Sequence, residues 1–338
     1  MSHPSLHDKA LQHIQHRTNI SSKLLRKRKP LDKTFYGLIL GAAVYTLFLL
    51  ALIVYAVGEG SIEIFSYEGI EFFTSTDWNA VYGRDAFGAL PYIIGTLVTA
   101  AIAMSIGVPV SIGIAVFLSD IAPGKLSTPL SFVIELLAAV PSIVYGLWAL
   151  FVFRFWIVGL IERPLYNAFG DSIPFFGKTP FGLDVFTAGI VLAIMIIPII
   201  SSISRELLKA VPNTQREAAY SLGATRWDTL RIAVFPYVKS GLFGAAFLGL
   251  GRAVGETILV TMVIGNAVGI NAIPTSLFSQ SQTLSSIIAN EFNEAASSLH
   301  LSALIGLGAV LLILTMTINI GGQLLVSRMV KVSQGVKE

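Results

Sequence analysis

Apolar residues fall into six long stretches along this chain. They begin near Thr34, Pro91, Thr128, Phe181, Ser240 and Leu301. A helix needs roughly 20 apolar residues to cross a bilayer core, and each stretch is long enough. Runs such as 37–57 and 301–318 are apolar on every face, whereas the strands of a membrane β-barrel alternate apolar and polar positions. The pattern predicts an all-α integral membrane protein with six transmembrane helices.

The composition agrees with this class. Hydrophobic residues make up 54% of the chain and charged residues 13%, and the mean hydropathy is +0.73, far from the soluble norm. The first apolar stretch follows a polar tail and precedes no small-residue cleavage site, so we expect it to be retained as a span. The chain has no cysteine, and its histidines show no metal-site spacing. We therefore expect no metal and no cofactor.

The distribution of charge predicts the orientation, because cytoplasmic loops carry an excess of Lys and Arg. The two tails and the second-to-third and fourth-to-fifth connections hold eighteen Lys and Arg residues, whereas the opposite connections hold only Arg84, Arg163 and Lys178. Both termini are therefore expected in the cytoplasm. The net charge of +3 reflects this distribution. The basic tail suits anionic headgroups of membrane lipid, and no nucleic acid partner is expected.

These observations divide the chain into segments. A basic cytoplasmic tail covers 1–33, the first transmembrane helix 34–58, an external loop 59–90, a core of five transmembrane helices 91–326, and a cytoplasmic tail 327–338. Within the core, the charged connection between the fourth and fifth spans covers about 205–237.

That connection predicts a short helix. Pro212 breaks the preceding helix, Asn213 is a candidate N-cap, and Gly223 offers the left-handed residue that often ends a helix. Inside the short helix, Ala218 and Ala219 are small enough for the groove of a partner protein to approach closely. A solvated loop would explain the charges of the connection but neither these alanines nor the glycine.

A second helix is predicted directly after the first. Thr225 and Asp228 have the spacing of a capping box, and Pro236 bends this helix into the fifth span. In the first helix, Arg216 and Glu217 would give a docked partner directional polar contacts. The connection therefore predicts a short, rigid helix-turn-helix on the cytoplasmic side that a second protein binds.

The same connection resembles the EAA loop of ABC importer permeases. The matching residues are Glu217, Ala218, Ala219, Gly223 and Pro236. Ala233 and Phe235 stand where the family prefers Ile and Leu, and both are packing positions. The resemblance implies a type I, MetI-like permease architecture for 91–326. It also implies that the matching helix, with Arg216, docks into an ATPase subunit and couples transport to its closing.

Three further stretches are similar to phosphate-uptake permeases of the PstC type. They are 135–148 (ELLAAVPSIVYGLW), 249–257 (GLGRAVGET) and 288–295 (IANEFNEA), the last followed by Leu299 and His300. With the loop, they span most of 91–326, and the basic N-terminal tail is covered least. The resemblance implies a subunit that carries inorganic phosphate into the cell.

Two charged residues inside the fifth span, Arg252 and Glu256, are candidates for the substrate pathway, because charges within spans are costly and usually functional. They are four residues apart and are expected on one helix face. Arg252 offers a planar fork of donors that suits phosphate oxygens. Glu256 either holds the arginine or accepts the proton of a protonated phosphate, and the neighbouring Thr257 completes the candidate set. The alternative is a buried ion pair that only fixes packing.

The resemblance also implies the partners. They are a second, homologous permease of the PstA type, two copies of a cytoplasmic ATPase of the PstB type, and an external phosphate-binding protein of the PstS type. The chain itself is expected to bind no nucleotide and to have no catalytic residue. Gly177-Lys178-Thr179 imitates the end of a phosphate-binding loop, but Ser172 stands where that loop requires a glycine.

Two other interpretations stay open. A permease of the same architecture could import sulfate, molybdate or an organic anion, and competition by those anions separates the two. The chain could instead be a membrane sensor of phosphate that transports nothing, or a channel that moves solute without ATP.

Overall fold

The structure is a computed structural model that describes residues 6–334 except residue 82, with the side chains of the described residues from 33 to 328. Contacts within the chain divide it into two compact units, Met1–Glu59 and Gly60–Glu338. The first unit is formed by helix α1 (Leu6–Gly60), whose last residue belongs to the second unit. Because α1 is continuous, no break separates the predicted basic tail from the first span.

The second unit contains the other helices and one short hairpin. Its α-helices are α2 (Ile62–Tyr67), α3 (Glu71–Thr74), α4 (Leu90–Val116), α5 (Gly124–Ala138), α6 (Ser142–Trp148), α7 (Arg154–Ile157), α8 (Arg163–Phe169), α9 (Val185–Lys209), α10 (Asn213–Ser221), α11 (Arg226–Thr229), α12 (Phe235–Gly255), α13 (Ile258–Val263), α14 (Leu284–Glu291) and α15 (Ser298–Gln334). π-helical turns occupy Phe117–Ile121, Ala149–Phe153, Val158–Glu162 and Leu230–Val234, and 3-10 turns occupy Pro174–Phe176, Gly269–Ala272 and Phe292–Glu294. Strands β1 (Trp78–Asn79) and β2 (Ala86–Phe87) pair antiparallel, with Trp78 opposite Phe87.

Six helical stretches within the described residues are long and apolar enough to cross a membrane. They are Lys33–Gly60, Leu90–Ile121, Ser142–Phe169, Val185–Lys209, Arg226–Gly255 and Ser298–Arg328. The predicted all-α class and the predicted number of spans are confirmed, and the chain is a multi-pass membrane protein.

The third span begins later than its apolar pattern predicts. It was expected near Thr128, but that residue lies in the separate helix α5, and the chain is extended at Pro141 (φ −59°, ψ 140°) before α6 begins. Proline lacks a backbone donor and disfavours helical conformation in the residue before it, so the helix ends here instead of only bending. Arg154 lies inside this span, and Glu135 lies outside it on α5.

Helix α9 occupies the centre of the second unit. It packs against α4, α5 and α12, and its Leu192, Ile196 and Ile200 are fully buried. A Cβ atom added at Gly107 of α4 would lie 3.0 Å from the side chain of Ile196, so the close approach of the two helices depends on this glycine. Because lipid is as apolar as these side chains, close packing rather than removal from water holds the spans together.

Candidate functional site

The helical path is interrupted at the end of the fifth span, where the candidate pathway residues lie. Helix α12 ends at Gly255, Glu256 is extended (φ −72°, ψ 126°), and α13 begins at Ile258. The Glu256 Oε1 atom accepts a hydrogen bond from the backbone nitrogen of Leu259 at 3.4 Å, in the first turn of α13. The prediction that Arg252 and Glu256 share one helix face is therefore wrong, because the helix does not continue between them. The two side chains form no ion pair.

Several hydrogen bonds satisfy the backbone at this interruption. The hydroxyl of Ser285, on α14, donates to the carbonyl oxygen of Glu256 at 2.9 Å. The carbonyl oxygen of Thr257 accepts from the nitrogen and the hydroxyl of Thr261, at 3.0 and 2.8 Å. The Thr257 hydroxyl in turn donates to the carbonyl oxygen of Gly255 at 3.4 Å. Irregular backbone inside a membrane requires such partners, because water is absent there.

Arg252 lies on an exposed face of α12. Leu248 and Gly255, on the same face, are exposed as well. Arg252 makes no hydrogen bond or ion pair with any residue that the structure describes. It lies in the last turn of α12, near the end of the fifth span. A guanidinium inside a membrane span requires protein or water against it, not lipid.

A second interruption adjoins the first. Helix α6, which follows Pro141, packs directly against α13. A Cβ atom added at Gly146 would lie 3.3 Å from Cα of Leu259 and 2.7 Å from Sδ of Met262, so the glycine eases this close approach. Residues 142–148 therefore pack against α13, the helix that begins directly after the stretch 249–257.

The predicted helix-turn-helix between the fourth and fifth spans is present. Gly223 follows α10 with φ +83°, and Thr225 and Asp228 form both hydrogen bonds of the capping box, each at 3.2 Å. Asn213, predicted as an N-cap, is instead the first residue of α10 and makes no capping bond. Pro212, held at φ −57°, occupies the cap position, so Asn213 enters the first turn.

Two residues assigned to a partner contact face inward instead. Ala219 is buried on the inward face of α10. Arg216 pairs with Asp120 and donates to the carbonyl oxygen of Leu208 at 2.9 Å. The small side chain of Ala219 packs into the apolar interior, and the Asp120 carboxylate, at the end of the second span, binds the Arg216 guanidinium. Spacing within one segment could not reveal either contact.

The outward side of this connection combines one charge with apolar groups. Glu217 and Ala218 are exposed, and the Glu217 carboxylate forms no hydrogen bond or ion pair within the described chain. Beside them, Leu222 is 87% exposed and Trp227 63% exposed, with Tyr220 about half exposed. We call Glu217, Ala218, Tyr220, Leu222 and Trp227 the loop surface.

A buried pair of carboxyl groups was not predicted from the sequence. Glu162, at the end of a π-helical turn, and Asp184, immediately before α9, are both fully buried. Thr187 connects them, since its nitrogen donates to Asp184 Oδ1 at 2.9 Å and its hydroxyl to Glu162 Oε1 at 2.8 Å. Neither carboxyl forms an ion pair with a described residue. The sequence offered one signal for this pair: Glu162 lies within one apolar stretch, and Asp184 lies next to the following one.

Burial raises the pKa of Asp184 from 3.8 to about 6, which makes the stability of the protein depend on pH. Between these values the unfolded state loses its proton while the folded state keeps it, so stability falls as pH rises from about 4 to about 6. A difference of this size corresponds to about 3 kcal/mol. Thermal unfolding in detergent over this range should show the fall. Asp184→Asn keeps the acceptor for Thr187 and should show a smaller fall, and equal slopes for the two proteins would contradict the assignment.

Polar groups also lie in two connections, the one between the third and fourth spans and the one between the fifth and sixth spans. A cavity of about 650 Å³ is lined by apolar side chains and by polar ones that include Lys178, Asn271 and Gln280. His300 Nε2 lies 3.0 Å from Glu291 Oε2, and Trp78 donates to the same oxygen at 2.9 Å. Among the described residues, no group of three or more His, Asp or Glu side chains could hold a metal ion.

Helices interrupted at the ends of membrane spans and a helix-turn-helix between two spans are features of a transport permease, and comparison with known proteins identifies the family. Residues 107–331 match the model of the binding-protein-dependent transport system inner membrane component. The chain belongs to this family.

Individual relatives agree with the family. The chain is 45% identical to the phosphate transport system permease protein PstC of Pasteurella multocida, over 86% of this chain and 89% of that one. It is 45% identical to the PstC of Haemophilus influenzae, over 85% and 90% of the two chains. Among solved structures, it is similar to a chain of the MetNI methionine ABC transporter in an inward-facing conformation, at 21% identity and a TM-score of 0.48, over 72% and 94%.

Proposed function

We propose that this chain is a permease subunit of an ATP-driven importer of inorganic phosphate. The observation that carries the proposal is Arg252, an unpaired guanidinium on an exposed helix face in the last turn of the fifth span. A charge in that place needs a polar occupant of the pathway, and its planar fork of donors matches the oxygens of phosphate. Relatives named as phosphate permeases match over most of both chains and support the same substrate.

Glu256 and Thr257 form the second part of the proposed pathway. They occupy the interruption next to Arg252, where the backbone is extended and both side chains are half-buried. Glu256 has no cationic partner among the described residues. Its carboxylate can therefore accept the proton of a protonated phosphate, a contact that fully ionised sulfate does not offer. Selection of phosphate over sulfate rests on this acceptor.

The energy for transport comes from a separate ATPase that binds the loop surface. Exposed apolar side chains grouped beside a free carboxylate are typical of a protein-binding site. In this proposal, Glu217, Ala218 and the left-handed turn at Gly223 present the site, whereas Arg216 and Ala219 support it from below. Two ATPase copies bind, one on this chain and one on a homologous second permease.

The excess of Lys and Arg supports a cytoplasmic position for the loop surface and both termini. The cavity of about 650 Å³ then faces outward. A phosphate-binding protein docks on that side and delivers the anion. Direct delivery overcomes the repulsion that the acidic outer segment 59–85 would exert on free phosphate.

Uptake of labelled phosphate by proteoliposomes tests this function. The vesicles contain this chain, the second permease and the ATPase, with ATP inside and the binding protein outside. We expect accumulation that requires ATP and that excess sulfate leaves intact. Inhibition by sulfate would indicate a permease for another oxyanion, uptake without ATP would indicate a channel, and absence of uptake would favour a sensor.

A further inference from the structure

One arginine connects α10 to the ends of two membrane spans. Arg216 Nη1 donates to Oδ1 of Asp120, in the π-helical turn that ends the second span. Its Nη2 donates at 2.9 Å to the carbonyl oxygen of Leu208, in the last turn of α9. A single guanidinium therefore holds α10 against both the second and the fourth spans.

This connection is mostly shielded from water. The side chains of Arg216 and Asp120 are 19% and 10% exposed, respectively. The other Asp120 oxygen accepts from the hydroxyl of Ser119 at 2.5 Å, which fixes the carboxylate in place. A shielded ion pair is screened less than a surface pair, and loss of one partner leaves the other charge poorly solvated. The pair is therefore stiffer than an exposed contact between two flexible side chains.

Apolar packing reinforces the connection. Ala115 and Val116, at the end of α4, form one buried cluster with Leu208 in the last turn of α9, with Val211 after α9 and with Leu230 directly after α11. Both sides of the helix-turn-helix thus rest on the same two spans. Densely packed elements transmit a displacement instead of absorbing it.

Adjacent residues of α10 have opposite surroundings. Glu217 is exposed and unpaired on the loop surface, whereas Arg216 is bonded inward to the spans. We infer that Arg216 and Asp120 form a joint that carries motion of α10 into the second and fourth spans, and that Arg216 is a positioning residue for transport. The inference rests on the proposed binding of the ATPase to the loop surface. Without the joint, α10 would move with the ATPase, but the second and fourth spans would not follow this motion.

The test compares ATP hydrolysis with uptake in the complete reconstituted complex. Asp120→Asn and Arg216→Gln should assemble and hydrolyse ATP, but phosphate taken up per ATP should fall about tenfold. The exchanged pair Asp120→Arg with Arg216→Asp should recover part of this ratio. Lys125→Gln removes an exposed charge from the start of α5, shortly after Asp120 in the sequence, and should leave the ratio unchanged. An unchanged ratio in Asp120→Asn, or a fall that the exchange does not reverse, would overturn the joint.

A distance measurement separates the joint from the proposed function. The chain has no cysteine, so spin labels can be placed at Ile121→Cys and Ser221→Cys without background. The distance between the labels should stay constant when ATP binds to the assembled complex and should change in the same chain carrying Asp120→Asn. Equal behaviour of the two chains would refute the joint. If the parent complex takes up no phosphate, the proposed function is refuted. The distance between the labels then still tests whether the joint links α10 to the spans.

Discussion

Replacing Arg252 with alanine is expected to abolish phosphate uptake while the complex still assembles. An anion crossing the bilayer loses its water and needs an opposite charge along its path. Two unit charges 4 Å apart attract by about 4 kcal/mol at the effective dielectric constant of a protein site, which corresponds to about a thousandfold in rate. Labelled phosphate uptake by proteoliposomes measures the loss.

The same variant should fold normally, because Arg252 has no partner in the described chain and its removal leaves no charge stranded. Leu248→Ala is the matched control, since it shortens an exposed side chain one turn earlier on the same face. We expect near-normal uptake in that control. Arg252→Lys keeps the charge but loses the fork of donors, so its uptake should fall between the two. Normal uptake in Arg252→Ala would exclude the proposed pathway.

Local signals in the sequence predicted local structure well. The capping box of Thr225 and Asp228 and the left-handed Gly223 depend on contacts within a few residues, so their spacing carries the information. The six apolar stretches predicted the spans for the same reason, because the bilayer sets one length for all of them. The class of fold could therefore be predicted before any contact between helices was known.

Contacts between distant segments could not be predicted in this way. Spacing placed Arg252 and Glu256 on one helix face, but Ser285, far along the chain, binds the Glu256 carbonyl oxygen in the interruption. Spacing assigned Arg216 and Ala219 to a helix that docks on a partner. In the structure, Arg216 turns inward to bind Asp120, and Ala219 is buried in the core. Glu162 and Asp184 become a pair only where the third and fourth spans meet. In each case a partner from a distant segment determined the contact, and local spacing does not encode such a partner.

Leu222→Asp is expected to weaken binding of the ATPase by about a hundredfold. Leu222 follows the last turn of α10 and is 87% exposed, with Trp227 and Tyr220 nearby. In the proposed complex the ATPase buries the Leu222 side chain. The variant places an unpaired carboxylate there, and burying such a charge costs several kcal/mol. In the free chain the aspartate remains in water, so the fold should be unaffected. Titration of the purified ATPase onto the detergent-solubilised permease pair measures the change.

The matched control is Leu126→Asp. Leu126 lies on α5, on the same side of the membrane in the proposed topology, and is 44% exposed. It therefore receives the same charge on an exposed apolar position outside the loop surface, and we expect ATPase binding close to that of the parent chain. Uptake should follow binding, since a permease that cannot hold the ATPase receives no energy from it. If both variants bind the ATPase equally well, the partner docks elsewhere, and the apolar side chains of the loop surface need another occupant.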